Sequence, residues 1–301
     1  MTTRNKTITL SDEQVAFYAA KCEKAERIEF SARNYVACGD FFEAAKRVGK
    51  ESVDLLIVDP PYNLDKDYNG SRFGKMSDSE YAAYTRKWVQ AVLPLLKKTA
   101  TVYVCCNWRS GMTVAPILGE YFTIRNRITW QREKGRGAKD NFKSAMEDVW
   151  YCTVSKDFYF DLDSVKIRRK VIAPYRADGK PKDWFEEEGA KYRDTCPSNF
   201  WDDIMVPYWS MSENTPHPTQ KPEKLLAKLI LASSKEGDLV LDPFAGSGSA
   251  AVVAKKLRRD YIAVERDETY CALAEYRLER AEEDKRIQGY DGIFLDRNAR
   301  M

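Results

Sequence analysis

Six consecutive residues, Val53-Asp54-Leu55-Leu56-Ile57-Val58, set the strongest limit on what this chain can fold into. They are nearly all β-favouring and show no polar alternation. Such a run reads as a strand buried on both faces, as in a parallel sheet lying under helices. It stops at Asp59-Pro60-Pro61, where two prolines cannot continue a central strand. Tyr35–Cys38 precedes it, and further strand candidates follow at residues 101–105, 128–130, 149–154, 158–162, 239–241 and 261–264. Helical patterns lie between them. Ser11 and Gln14 make a capping box for residues 11–27, and a short helix is expected at 41–48. Ser77 and Glu80 open a long helix whose inner face carries Tyr81, Tyr84, Trp88, Val92 and Leu95. Others fall at 222–234, 249–257 and from 267 to about 285. The alternation predicts an α/β fold with a doubly wound, mostly parallel sheet.

Residues 163–215 break the pattern. They are irregular, charged and aromatic, and read as an insertion rather than a linker-bounded domain. The resulting division is an N-terminal helical extension (1–33), two halves of one α/β domain (34–162 and 216–286) around the insertion, and a tail (287–301).

Composition removes several function classes. The single histidine, His217, excludes a zinc site built on two histidines and leaves little room for histidine relays, and no metal is expected. The seven cysteines are odd in number and contain no C-x-x-C, which fits reduced thiols rather than a disulfide framework. Adjacent Cys105 and Cys106 end an apolar stretch and read as core. No apolar run reaches the roughly 18–20 residues needed to span a bilayer, and the N-terminus lacks a secretory apolar core. A cytoplasmic protein with no membrane partner is expected.

Two turns carry chemistry. Asp242-Pro243-Phe244-Ala245-Gly246-Ser247-Gly248-Ser249-Ala250-Ala251 joins a strand to a helix, and Gly246, Gly248 and Ala251 match the G-x-G-x-x-G/A spacing of nucleotide-binding turns. Glu265 ends the next strand, placed to accept from ribose hydroxyls. Without G-K-[ST] the loop is not a triphosphate P-loop; NAD, FAD or S-adenosylmethionine all suit it. The second turn is Asp59-Pro60-Pro61-Tyr62. Its prolines remove two donors, so it offers acceptors only: the Asp59 carboxylate and the Pro60 carbonyl, with the flat Tyr62 ring beside them. Two acceptors and a stacking face suit a planar base bearing an NH₂ group. Accepting both N–H bonds concentrates the nitrogen lone pair, which favours attack on an electrophilic methyl group.

In these motifs the chain resembles the beta class of amino-group DNA methyltransferases from about residue 35 to residue 280. Asp59-Pro60-Pro61-Tyr62-Asn63-Leu64 resembles the catalytic motif and Asp242 to Gly248 the cofactor loop, in the beta-class order. His217-Pro218-Thr219-Gln220-Lys221-Pro222 resembles a motif bordering the methionine end of S-adenosyl-L-methionine, with Lys221 suited to its carboxylate. Gly39-Asp40 resembles the turn whose acid meets the cofactor adenine. Relatives often carry His-Glu where this chain has Met146-Glu147. The resemblance implies a Rossmann-like methyltransferase fold. It implies catalytic Asp59, Pro60, Pro61 and Tyr62, and cofactor contacts from Gly39, Asp40, His217, Thr219, Gln220, Lys221, Asp242, Phe244, Gly246, Ser247, Gly248 and Glu265. The substrate implied is a flipped-out adenine in double-stranded DNA, methylated at N6, because cytosine-N4 relatives more often carry Ser in place of Asp59. A homodimer, a cognate restriction endonuclease and a nucleoid-associated location in a prokaryote or phage are further expectations.

Net charge is only +3, yet it averages unlike regions. Arg132, Lys134, Arg136, Lys139 and Lys143 cluster against Glu133 and Asp140. Residues 164–182 hold seven positive side chains against one negative, including Lys166, Arg168, Arg169 and Lys170. With Phe142, Tyr175 and Trp184 interleaved, this basic middle is the expected DNA contact, whereas Glu186-Glu187-Glu188 should face elsewhere. A dinucleotide-dependent oxidoreductase would explain the glycine loop and Glu265 but neither Asp59–Tyr62 nor the basic middle. A non-catalytic DNA-binding subunit would leave both motifs unexplained.

Overall fold

The structure is a computed structural model and describes residues 4–68, 71–132, 139–172 and 174–296. Its centre is a nine-stranded sheet in the spatial order Glu23–Lys24, Tyr35–Cys38, Asp260–Glu265, Leu239–Asp242, Val53–Val58, Leu96–Cys106, Met146–Thr153, Thr123–Gln131 and Phe200–Trp201. The first six strands are mutually parallel, and Met146–Thr153 runs against both of its neighbours. Successive residues feed opposite faces. Leu55, Ile57, Tyr103, Cys105, Val240 and Ala263 pack under the helices Glu223–Ser233, Ser249–Lys256 and Glu268–Glu283. Leu56, Val58, Val102, Val104, Leu241 and Val264 pack under Asp78–Val92 and Trp108–Tyr121. Burial on both faces is why these strands carry no polar alternation.

Several elements differ from expectation. The first helix covers only Asp12–Ala19, although the Ser11–Gln14 capping box forms; the chain then pairs as the edge strand Glu23–Lys24. Tyr18 stacks edge-on against Tyr276 and donates to Glu279, fastening the extension to the last helix. The second helix stops at Ala44. Residues 158–162 form no strand: Phe160 stacks on Tyr151, and the Asp161 N–H donates to the Ala232 carbonyl. Side-chain stacking and a helix end take the contacts a neighbouring strand would have supplied.

The insertion is more ordered than its composition suggests. Phe185–Glu187, Ala190–Thr195, Ile167–Lys170 and Phe294–Leu295 form a four-stranded sheet in that order. The tail therefore completes the insertion. No helix among the described residues is long and apolar enough to cross a membrane.

Candidate active site

The carboxyl ends of Tyr35–Cys38, Asp260–Glu265, Leu239–Asp242 and Val53–Val58 open onto a cavity of about 420 Å³. The chain leaves Leu239–Asp242 toward Asp260–Glu265, and leaves Val53–Val58 toward Leu96–Cys106 on the opposite side. The crevice between strands whose connections diverge is the usual ligand position of an open α/β sheet. Gly39, Asp40, Asp59, Pro60, Pro61, Tyr62, His217, Thr219, Phe244, Gly246 and Glu265 all line it.

One wall is set by backbone. Glu265 Oε2 accepts the Gly246 N–H at 2.8 Å, and Oε1 accepts the Arg266 and Asp267 N–H groups at 2.8 and 2.9 Å. Burial raises the Glu265 pKa, against those three bonds. Asp40 caps the Phe41–Ala44 helix through the Phe42 N–H at 2.7 Å and pairs with Arg266. Gly246 has φ 51°, and a Cβ there would lie 2.7 Å from the His217 ring. That ring meets Tyr270 edge-on at 4.5 Å.

The opposite wall is set by side chains. Lys221 Nζ donates to Asp59 Oδ2 at 2.6 Å and pairs with Glu147 Oε1 at 2.8 Å. The Tyr62 hydroxyl lies 2.6 Å from Glu147 Oε1 and 2.9 Å from Asp59 Oδ1. Arg132 Nη1 donates to Glu147 Oε2 at 2.7 Å. Burial raises the Asp59 pKa despite Lys221. Burial pushes the Glu147 pKa up as well, but Lys221 and Arg132 outweigh it and the net shift is down. Burial works against the charged form of Lys221, and the two carboxylates overcome it. The turn is braced from outside: the Tyr81 hydroxyl donates to the Pro61 carbonyl, the Asn63 N–H donates to Ser110 Oγ, and Asn63 bonds the Met76 backbone twice.

Five expected cofactor residues do not line the cavity. Lys221 belongs to the carboxylate cluster described above. Gln220 folds back, accepting from Thr215 and donating to the Glu213 carbonyl. Asp242 accepts the Phe244 N–H at 3.1 Å and is pushed up to about 7 by burial. Ser247 is buried and accepts from Arg277. Gly248, at φ 73°, lets the glycine loop approach Ala274, where a Cβ would come within 2.5 Å.

The N6/N4 DNA methylase family model matches residues 53–276. The chain belongs to this family. It is 34% identical over 261 residues to the type II methyltransferase M.HpaI of Haemophilus parainfluenzae, covering 85% of this chain and 76% of that one. It is 31% identical over 250 residues to the DNA adenine methyltransferase YhdJ of Escherichia coli K12, covering 81% and 82%. Among solved structures, the cytosine-N4-specific PvuII DNA methyltransferase matches with a TM-score of 0.63 at 19% identity, covering 92% of this chain and 98% of that one. The M1.HpyAVI–SAM complex matches at 0.55 and 21%, covering 81% and 98%. At those identities the two structures speak to the fold alone.

In the methylase, sequence reasoning missed Phe41, Phe42, Phe73, Tyr84, Arg266 and Tyr270, which add aromatic and cationic surface to the cavity. Phe41 and Phe42 directly follow Gly39-Asp40, a signal that was available. Glu147 stands at the position where relatives often carry His-Glu, but that resemblance assigns it no role, and at 85 residues from Tyr62 no local pattern announces their contact.

The expected DNA contacts divide. Lys134 and Arg136 lie outside the described residues. Lys139, Arg169 and Lys170 are exposed. Arg132 is turned toward Glu147, and Lys166 pairs with Asp163 at 2.7 Å. Arg168 spans Asp194 and Glu187, which also gives Glu187 a structural duty. Phe142 and Tyr175 are exposed, but Trp184 is buried and donates to the Tyr175 carbonyl. Cys105 and Cys106 are buried in the core.

Proposed function

We propose that this methylase transfers a methyl group from S-adenosyl-L-methionine to the N6 amine of an adenine flipped out of duplex DNA. The observation that carries it is a single cavity walled by Asp59-Pro60-Pro61-Tyr62 on one side and by Asp40, Phe244, Gly246 and Glu265 on the other. Its volume, about 420 Å³, lies in the range of small-molecule sites. Two carboxylates at neighbouring strand ends, Asp40 and Glu265, suit the amine and hydroxyl donors of an adenosine, and Phe244 and Phe42 offer apolar walls.

The cofactor supplies an electrophilic methyl group. The protein does the rest. Asp59 and the Pro60 carbonyl accept the amine hydrogens and localise the nitrogen lone pair. Tyr62 holds the base by its ring face, and Asp59 takes the proton released on transfer. No histidine or metal is required. Asp59 and the adenine-directed YhdJ favour adenine over cytosine N4. The type II name of M.HpaI extends the proposal to a cognate restriction endonuclease in the same cell, and the resemblance extends it to a homodimer.

Reaction with duplex DNA and methyl-labelled cofactor, followed by nucleoside analysis, tests the reading. Label in N6-methyladenine is the expected result, and label only in cytosine overturns the choice of base. Sedimentation tests the dimer.

A further inference from the structure

We propose that Glu147 is a positioning residue for methyl transfer, drawing Lys221 and Tyr62 toward itself so that Asp59 keeps an oxygen open to the target amine. The inference rests on the catalytic role assigned to Asp59 above. It starts from a count of donors. Two donors reach Asp59: the Lys221 ammonium at Oδ2 and the Tyr62 hydroxyl at Oδ1. If both bonded it fully, one acceptor site on each oxygen would be occupied before the substrate amine arrived. A phenol has one proton. The shorter distance, 2.6 Å, runs to Glu147 Oε1, and the longer, 2.9 Å, to Asp59 Oδ1. With the proton on the Glu147 side, Asp59 Oδ1 remains an acceptor. Lys221 is likewise shared, at 2.6 Å from Asp59 and 2.8 Å from Glu147.

Glu147 is itself fixed. It is buried, on the strand antiparallel to both its neighbours, and its second oxygen is held by Arg132. The Arg132 N–H donates to the Ala145 carbonyl. One chain of charges therefore runs from Arg132 through Glu147 and Lys221 to Asp59. Two acids and two bases balance, which is what makes four charges tolerable in so little solvent.

The titratable groups around Asp59 and Glu147 are Tyr62 from the same turn, Lys221 and Asp242 from the cofactor half, Cys105 and Cys106 from the adjacent strand, and Arg132 and Asp148 beside Glu147. The negative charge of Glu147 raises the Asp59 pKa. Removing it leaves Asp59 as the carboxylate partner of Lys221 and frees the phenol proton to turn toward Asp59.

The test compares wild type with Glu147→Gln and Arg132→Gln. For Glu147→Gln we expect kcat to fall at least 10-fold, KM for the methyl donor to stay within 3-fold, and the acid limb of the pH–rate profile to move to lower pH. For Arg132→Gln, which strips a positive charge and keeps Glu147, the acid limb moves to higher pH. A carbon-NMR titration of the Asp59 carboxyl, assigned with Asp59→Asn, reads the same opposed shifts without turnover. It separates failure of this inference from failure of the assigned reaction. Wild-type kcat in Glu147→Gln overturns the proposal, as does a loss of activity with no movement of Asp59. If Glu147→Gln does not fold, Arg132→Gln and the titration decide alone: a shift to higher pH supports the proposal, and no shift overturns it.

Discussion

Glu265 and Asp59 line the same cavity from neighbouring regions of the sheet, and both are half-buried acids with raised pKa. They are held in different ways. Glu265 is gripped by three backbone N–H groups, which exist wherever the chain takes this path. Asp59 is held by Lys221 and Tyr62, both shared with Glu147. A backbone-held acid is fixed by the fold and survives most substitutions around it. A side-chain-held acid is adjustable, and any of several single changes can detune it. On the proposed reading, the wall that binds is built by topology and the wall that reacts is built by charges.

The sharpest way to break this contrast is Asp59→Ala. It should lower methyl transfer by about 10³-fold or more, in line with loss of a positioned proton acceptor. S-adenosylhomocysteine affinity by calorimetry should stay within about 3-fold. Equal losses in both would erase the distinction between the walls. The converse is Gly246→Ala, which strains a left-handed position and drives a methyl into the His217 ring. Its expected effect is about 10-fold or more on cofactor affinity, with the Asp59 titration unmoved.

A third substitution lies outside both walls. Lys224 and Lys228 are buried and share Asp203 at 2.6 and 2.8 Å. Burial pushes the Asp203 pKa up, the two lysines outweigh it, and the net shift is down. Asp203→Ala leaves two buried ammonium groups without their carboxylate and should cost about 3–5 kcal/mol in denaturant unfolding. A cost near zero would show that the strands around Phe200–Trp201 relax more readily than their burial implies.

The smallest effect concerns pH. Burial first, then Glu223, pushes Glu213 up to about 7. Such a carboxyl binds more protons folded than unfolded between its ordinary pKa and about 7. Its contribution to stability is present below that window and is lost as pH rises through it. Melting temperature should therefore fall by a few degrees between about pH 5 and pH 8. Glu213→Gln should flatten that slope while keeping the acceptor for the Glu223 N–H.

What could be read from the amino acids follows the same division. Strands of the core announce themselves because both faces are apolar, and the two ligand turns because proline and glycine punctuate them. The helix Trp108–Tyr121 escaped notice: Gly111, Pro116 and Gly119 interrupt it, and Trp108 and Met112 sit exposed on it. The sheet of the insertion was equally hidden, since its strands meet through charged residues such as Arg168 and Asp194 that mimic a solvated loop. The Lys221 cluster joins residues up to 162 positions apart, and no local pattern encodes such a meeting. Both turns were legible because they are written locally; the meeting of Lys221, Glu147 and Arg132 behind Asp59 was not.

The spatial order of the sheet has one further consequence. Tyr35–Cys38 comes early in the chain, yet it pairs with Asp260–Glu265, beyond the late strand Leu239–Asp242, which itself abuts the early strand Val53–Val58. Early and late segments are interleaved like the fingers of clasped hands. A gene cut within the insertion would yield two pieces, each with unpaired strand edges that only the other can cover. Such pieces should reassemble with each other or precipitate. The two halves that clasp around the insertion must therefore be inherited together, and with them the tail strand that completes the insertion's sheet.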